Sequence, residues 1–161
     1  VLNLLKQSGV TAQIALQCRF EMLTEAFLDA LDGLNVTLEF GLQTTSSPVS
    51  KLIQRHNNMP KVEEKLALVK QRGINFEVSL IYGLPTQTLD SFKASVEWCK
   101  RQQVPRVMAW PLMLLRGTPL YDQKAQYGLQ ESVGKAIPIV IASNSFTEAE
   151  YKVMADIAEA L

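Results

Sequence analysis

The sequence is poor in the residues that most often announce a chemistry. Only two of its 161 residues are cysteines, Cys18 and Cys99, and they lie far apart in unrelated contexts. Two thiols cannot make a four-ligand zinc site alone, and no CxxC is present. The pair reads as reduced structural thiols in a cytoplasmic protein. One histidine, His56, follows the helical run Leu52-Ile53-Gln54-Arg55 and reads as a solvated helix-end residue. There is no Ser-His-Asp set, HExxH, P-loop or GxGxxG. No apolar run reaches the roughly 18 residues of a membrane span, and no signal-peptide layout precedes the first helix. Charge of one sign is missing too: 16 basic residues balance 16 acidic ones, which favours neither nucleic acid nor an anionic membrane as partner.

What is present is a folded composition, 47% hydrophobic and 20% charged. Strand-like runs alternate with longer helical patterns. Residues 1–8 read as a helix stopped at Gly9. Strands are expected at Gln13–Phe20, Val36–Gln43, Phe76–Tyr82 and in the run 106–115. Pro111 gives the last of these an edge position or a bulge. Helices are expected over Thr24–Leu31, from Ser47-Pro48 to about His56, from Pro60 to Gly73, and after a Thr88 cap. A short helix over 118–127, a weak strand at Ile137–Ala142 and a helix over 147–161 complete the chain. Thr147 with Glu150 makes a capping box for that last helix. Alternation of this kind implies parallel βαβ units, a mainly parallel α/β sheet covered by helices. Residues 1–128 read as the sheet domain and 129–161 as a C-terminal extension, with Gln130–Lys135 the one linker-like stretch.

In a parallel sheet, reactive groups collect at the C-terminal strand ends. Side-chain alternation puts Glu39, Gly41 and Gln43 on one face, and Ser79, Ile81 and Gly83 on one face of the next strand. Gln17 and Arg19 end the first strand. Buried polar residues of this kind either satisfy one another or meet a ligand, since an unpaired one costs about 1–3 kcal/mol. Gly41 and Gly83 allow a flat ligand close to the backbone, or serve as packing glycines.

Two segments, Leu38-Glu39-Phe40-Gly41-Leu42-Gln43-Thr44-Thr45 and Leu80-Ile81-Tyr82-Gly83-Leu84-Pro85-Thr86-Gln87-Thr88, resemble radical S-adenosylmethionine (SAM) enzymes. They are similar to motifs of the oxygen-independent coproporphyrinogen dehydrogenases and of the cobalamin-domain radical SAM proteins. Arg55-His56-Asn57 falls where the latter carry an R-x-N/H segment, and Arg116-Gly117-Thr118-Pro119-Leu120 is similar to the family's G-T-x-L. The resemblance covers roughly residues 10–128. It implies the C-terminal part of a partial (β/α)6 TIM-like barrel, strands three to six.

It also implies SAM and a [4Fe-4S] cluster as cofactors of a full-length protein that generates a 5′-deoxyadenosyl radical, and it leaves a cobalamin domain open. Carried over residue by residue, Gln17 takes the place of a strand glutamate and Glu39 matches the buried strand glutamate. Gln43 matches a SAM-contacting glutamine, and Arg55 an arginine that reaches the SAM carboxylate. Ser79 stands where many members have a ribose-binding aspartate. Tyr82, Gly83, Leu84 and Pro85 match the segment that passes the adenine.

The cluster motif C-x3-C-x2-C and the Gly-Gly-Glu of the family's second strand have no counterpart in the sequence. The chain begins at Val1, which suggests that this part of the barrel lies upstream; a degenerate member is the other account. The chain alone is then expected to be inactive and to bind no metal. The unpaired edge of the first strand would face the upstream part of its own barrel, or a second copy in a homodimer. Two other functions stay open: a lyase or aldolase-type barrel enzyme with Glu39 as base, and a non-catalytic binding domain.

Overall fold

The computed structural model describes residues 1–161. Four strands form one sheet: β1 (Ile14–Cys18), β2 (Val36–Gln43), β3 (Asn75–Tyr82) and β4 (Val107–Pro111). They pair in the order β1-β2-β3-β4, and every pairing is parallel. The order itself is informative. Right-handed crossovers that always step in the same direction lay every connecting helix on the same face of the sheet. A doubly wound sheet reverses direction and covers both faces; this one does not, so it forms an arc of a barrel.

The helix-bearing face is the core. From β2 it takes Leu38, Phe40 and Leu42, and from β3 it takes Phe76, Val78, Leu80 and Tyr82. Phe40 stacks on Phe20 with ring centroids 4.2 Å apart and meets Phe76 edge-on at 6.3 Å. Two long helices close over these residues. Helix α4 (Met59–Gln71) buries Val62, Leu66 and Val69, and α5 (Leu89–Arg101) buries Phe92, Val96, Trp98 and Cys99. Spacings of three and four place Val62, Leu66 and Val69 on one helical stripe, and Phe92, Val96 and Cys99 on another, with Trp98 flanking it. The shorter helices are α1 (Leu2–Gln7), α2 (Glu25–Leu31) and α3 (Ser47–Leu52), with a 3-10 turn at Phe20–Met22.

Beyond β4 the chain forms the four-residue helix α6 (Pro119–Asp122), the short antiparallel pair β5 (Gln130–Glu131) and β6 (Val140–Ala142), and α7 (Glu148–Glu159). The expected helix over 118–127 keeps only its first turn, and a series of turns replaces the rest. The expected strand at 106–115 ends at Pro111 on the edge strand of the sheet, where a missing N–H costs no bond to β3: Leu112 N–H still donates to Tyr82 O at 2.8 Å. Just past it, Leu114 N–H donates to Pro138 O at 2.9 Å and Val140 N–H to Leu112 O at 2.9 Å. Residues 138–140 therefore run antiparallel beside 112–114. Helix α7 opens with the expected Thr147–Glu150 capping box and buries Tyr151 and Met154. Those two side chains belong to the same hydrophobic cluster as β2 and β3. No helix is long and apolar enough to cross a membrane.

Candidate functional site

The face of the sheet without helices is a concave wall lined by polar residues. A cavity of about 780 Å³ opens on it, lined among others by Gln17, Glu39, Gly41, Gln43, Arg55 and Ser79. That volume suits a drug-sized ligand. Strand alternation and register explain the grouping. Gln17 pairs with Glu39, Glu39 with Glu77, and Gly41 with Ser79, so these side chains stand in layers across the wall. At the far end of the Glu39 layer, Arg106 reaches Glu77 at 3.4 Å.

Glu39 has no such partner. The chain's ion pairs join Arg19 to Glu21, Arg72 to Asp29, Lys100 to Glu97, Arg106 to Glu77, Lys124 to Glu131 and Lys152 to Glu148. Neither Glu39 nor Arg55 takes part in any of them. Arg55 comes from the segment after α3, not from a strand. Gln54 adopts φ +56, which ends the helix, and Arg55 N–H donates back to Ser50 O at 2.7 Å. This tight reversal swings the half-buried guanidinium over the cavity, where it carries a charge and a planar donor fork with no acceptor from the chain. Such a fork suits a carboxylate.

The remaining four residues of the expected site lie behind the wall. Tyr82 has the opposite parity from Ser79 and Ile81, so its ring enters the core, 5.8 Å from Phe92 and 5.4 Å from Tyr151. Burial, and then the Tyr151 hydroxyl, push its pKa upward. A side chain on Gly83 would lie 3.3 Å from Val140 O, so the close approach that this glycine permits is made by the C-terminal segment. Leu84 and Pro85 are buried in the turn that follows. Gln87, fully buried, organises that turn: its Oε1 accepts from Gly83 N–H at 2.8 Å and Leu84 N–H at 3.2 Å, and its Nε2 donates to Ile81 O at 3.0 Å.

The cavity also contains residues that the motifs do not mark. Met22, Leu23 and Phe27 form one apolar rim, and Trp110, Met113 and Leu115 the opposite one. Trp110 and Met113 are more than half exposed. The parity of Trp110, opposite Ile81 in register, was a usable signal. The wall is therefore amphipathic: polar and ionic groups on β1, β2 and after α3, apolar ones on β4 and beyond.

The two cysteines do not come together. Cys99 is buried in α5 and burial raises its thiol pKa to about 12. Burial, and then the neighbouring Glu39 carboxylate, raise that of Cys18. Thiolates are the ligands of iron–sulfur clusters, and neither position favours one. No three His, Cys, Asp or Glu side chains gather where they could hold a metal ion.

Fold and site together define a class. The chain is an α/β fold of partial TIM-like barrel type, related to the radical SAM superfamily. No protein-family model matches it. Among curated proteins, it is 39% identical over 62 residues to the oxygen-independent coproporphyrinogen III oxidase of Helicobacter pylori, a match that covers 38% of this chain and 14% of that one. Among solved structures, coproporphyrinogen III oxidase (HemN) of Escherichia coli, a radical SAM enzyme, superposes with TM-score 0.56 at 25% identity. That match covers 62% of this chain and 23% of the enzyme. The radical SAM methyltransferase TsrM of Kitasatospora setae, solved with tryptophan and a SAM analogue, superposes with TM-score 0.66 over 92% of this chain and 36% of that one. At 14% identity this likeness concerns the fold alone. The chain thus spans a small part of the length of these relatives.

Proposed function

We propose that this chain is the SAM-facing part of a radical SAM barrel. The observation that carries the reading is the unpaired Arg55 guanidinium over a polar wall built from Gln17, Glu39, Gln43 and Ser79. The relationship to radical SAM enzymes supports it. In this reading Arg55 binds the SAM carboxylate as a fork-to-carboxylate pair. Gln43 supplies an amide beside it. Ser79 offers one hydroxyl to the ribose, a weaker hold than a carboxylate would give. Glu39, without a counter-charge in the chain, is placed to take a cationic or hydrogen-bond-donating group. The apolar rim at Trp110, Met113 and Leu115 accommodates the flat, less polar part of the ligand. Tyr82, Leu84 and Pro85 contribute by supporting the wall from behind.

The cluster is a different matter. The residues of this chain do not fit a [4Fe-4S] group, and its ligands are proposed to come from polypeptide outside these 161 residues, across the open edge of β1. A cobalamin domain would likewise belong to the parent protein. No lysine lines the cavity, so a Schiff-base aldolase lacks its nucleophile here.

The test is SAM titration of the isotope-labelled chain followed by NMR. Millimolar SAM is expected to shift the resonances of Gln43, Arg55 and Ser79, and Arg55→Ala to remove the response. Shifts confined to other surfaces, or an unchanged response in Arg55→Ala, would sink the reading. Anaerobic iron and sulfide reconstitution is expected to leave the chain colourless; stoichiometric iron and sulfide would overturn the assignment of the cluster ligands to other polypeptide.

A further inference from the structure

Gln43 ends β2 in an unusual conformation. Its φ is +70, a region that a long side chain enters only against steric resistance. Thr44 N–H donates to Leu42 O at 2.9 Å, closing a γ-turn of the strained, positive-φ kind around it. The register with β3 shifts at this point, between Gly41 and Gln43. Strained residues persist only where their surroundings over-determine them, and they gather at functional sites.

The surroundings here are specific. Asn57 Nδ2 donates to Leu42 O at 2.8 Å and to Thr44 O at 3.0 Å. One primary amide thus spends both of its hydrogens on the two carbonyls that flank Gln43. From the other side, Thr45 N–H donates to the buried Ser95 Oγ of α5 at 3.1 Å, and Ser46 N–H to Thr44 Oγ1 at 3.1 Å. The Gln43 amide lies back over the bare Cα of Gly41, where a Cβ would stand 2.8 Å from Nε2.

We propose that Asn57 is a positioning residue: by clamping the carbonyls of Leu42 and Thr44 it holds Gln43 in its strained conformation, with the Gln43 amide folded over Gly41 at the cavity wall. The inference deepens the SAM-binding reading and, for its effect on affinity, rests on it. It gives the Arg55-x-Asn57 spacing a physical meaning. Asn57 N–H donates to Arg55 O at 2.9 Å, so one turn presents a cation to the cavity and braces the neighbouring amide. Gly41 is the space that this arrangement needs.

Two cycles test it. The first uses urea unfolding and no ligand. In the wild-type chain Gln43→Gly relieves the positive φ and is expected to raise the folded-to-unfolded ratio about threefold or more. In an Asn57→Ala background Gln43 has relaxed, so the same change lowers the ratio, because glycine then only adds freedom to the unfolded chain. An equal effect of Gln43→Gly in both backgrounds would overturn the clamp. If Asn57→Ala does not fold, Asn57→Ser keeps one donor, and Gln43→Gly should then raise the ratio by less than in wild type.

The second cycle measures SAM binding. Asn57→Ala and Gly41→Ala are each expected to weaken it about tenfold, and neither to weaken it further once Gln43 is alanine. Gly41→Ala leaves the Asn57 bonds intact and meets only the far end of a flexible side chain, so the fold survives it. Additive losses would overturn the role of Asn57 in positioning. If the wild-type chain shows no SAM binding, the proposed function fails while the unfolding cycle still decides the clamp.

Discussion

The two faces of β2 and β3 are built to opposite rules. On one, Leu38, Phe40, Leu42, Val78 and Leu80 are completely buried, and no polar side-chain atom anywhere in the interior lacks a partner. On the other, Glu39, Gln43 and Ser79 are half-buried, and Glu39 lacks a counter-charge. The same backbone carries both, one residue out of phase. Local sequence therefore dictates which residues stabilise the chain and which are free for chemistry, and mutations on the two faces should separate cleanly.

The largest effect is expected at Phe40. Its ring stacks on Phe20 and meets Phe76 edge-on, so Phe40→Ala removes a central, fully buried aromatic from the cluster. A loss of about 3–5 kcal/mol in urea unfolding is expected. A loss below about 1.5 kcal/mol would mean that the helix-bearing face is not the one that holds the sheet together.

The core face should also make the chain fragile in alkali. The Cys99 thiol titrates at about 12 in the folded chain, against an ordinary value of 9.0. A raised pKa means that the unfolded thiol ionises first. Stability is then complete below pH 9.0 and is lost as the pH climbs through that window toward about 12. Tyr82 and Tyr151 are shifted in the same direction. The full Cys99 contribution is on the order of 4 kcal/mol. The urea midpoint should fall over this range, and Cys99→Ala should flatten the slope. An unchanged slope in that variant would remove Cys99 from the explanation.

Gln87 tests the boundary between the faces. Gln87→Ala strands the N–H groups of Gly83 and Leu84 and the carbonyl of Ile81. With buried groups left unpaired at about 1–3 kcal/mol each, partly recovered by water, a loss of about 2–4 kcal/mol is expected. Gln87→Glu retains an acceptor for the two N–H groups but must bury a carboxylate against Ile81 O or bind a proton, so it should recover part of the loss only at acidic pH, where the protonated acid can donate to that carbonyl. Equal losses in both variants at acidic pH would show that the turn does not depend on the Oε1 contacts.

The difference between the faces also decides what could be read in the sequence. Periodicity placed β2 at its observed bounds and β3 within a residue, because their core sides are continuous runs of large apolar residues. The cavity residues Gln17, Glu39, Gln43 and Ser79 followed from alternation once the strands were parallel. Arg55 came from the family resemblance. Tyr82 came from the resemblance too; its motif lies at the strand end, and parity turns the ring inward. Gln87 and Asn57 stand in the motif segments, but their roles were hidden for another reason. Each works by bonding backbone groups brought together only by the fold, as Asn57 does with Leu42 and Thr44. No spacing rule reveals such a bond. A positive φ at a glutamine is equally invisible, since most residues of that type avoid it.

Glu39 gives the smallest expected effect and the sharpest discrimination. It stands directly opposite Glu77 in the parallel register, and Glu77 already has Arg106 at 3.4 Å. Like charges facing each other across strands are destabilising by roughly 0.2–1 kcal/mol. Removing the charge by Glu39→Gln keeps the shape of the side chain and relieves that repulsion. The expected outcome is a chain as stable as wild type or more stable by a few tenths of a kcal/mol. A carboxylate without an ion-pair partner in the chain is one that the fold does not need, and function is where sequences break local rules. A destabilisation above about 1 kcal/mol would instead make Glu39 a structural partner within the barrel wall, and would strike it from the ligand-binding set. If stability holds, the same variant should still alter the SAM-induced NMR shifts around β2, because a neutral amide cannot attract the cationic part of the ligand as the carboxylate does.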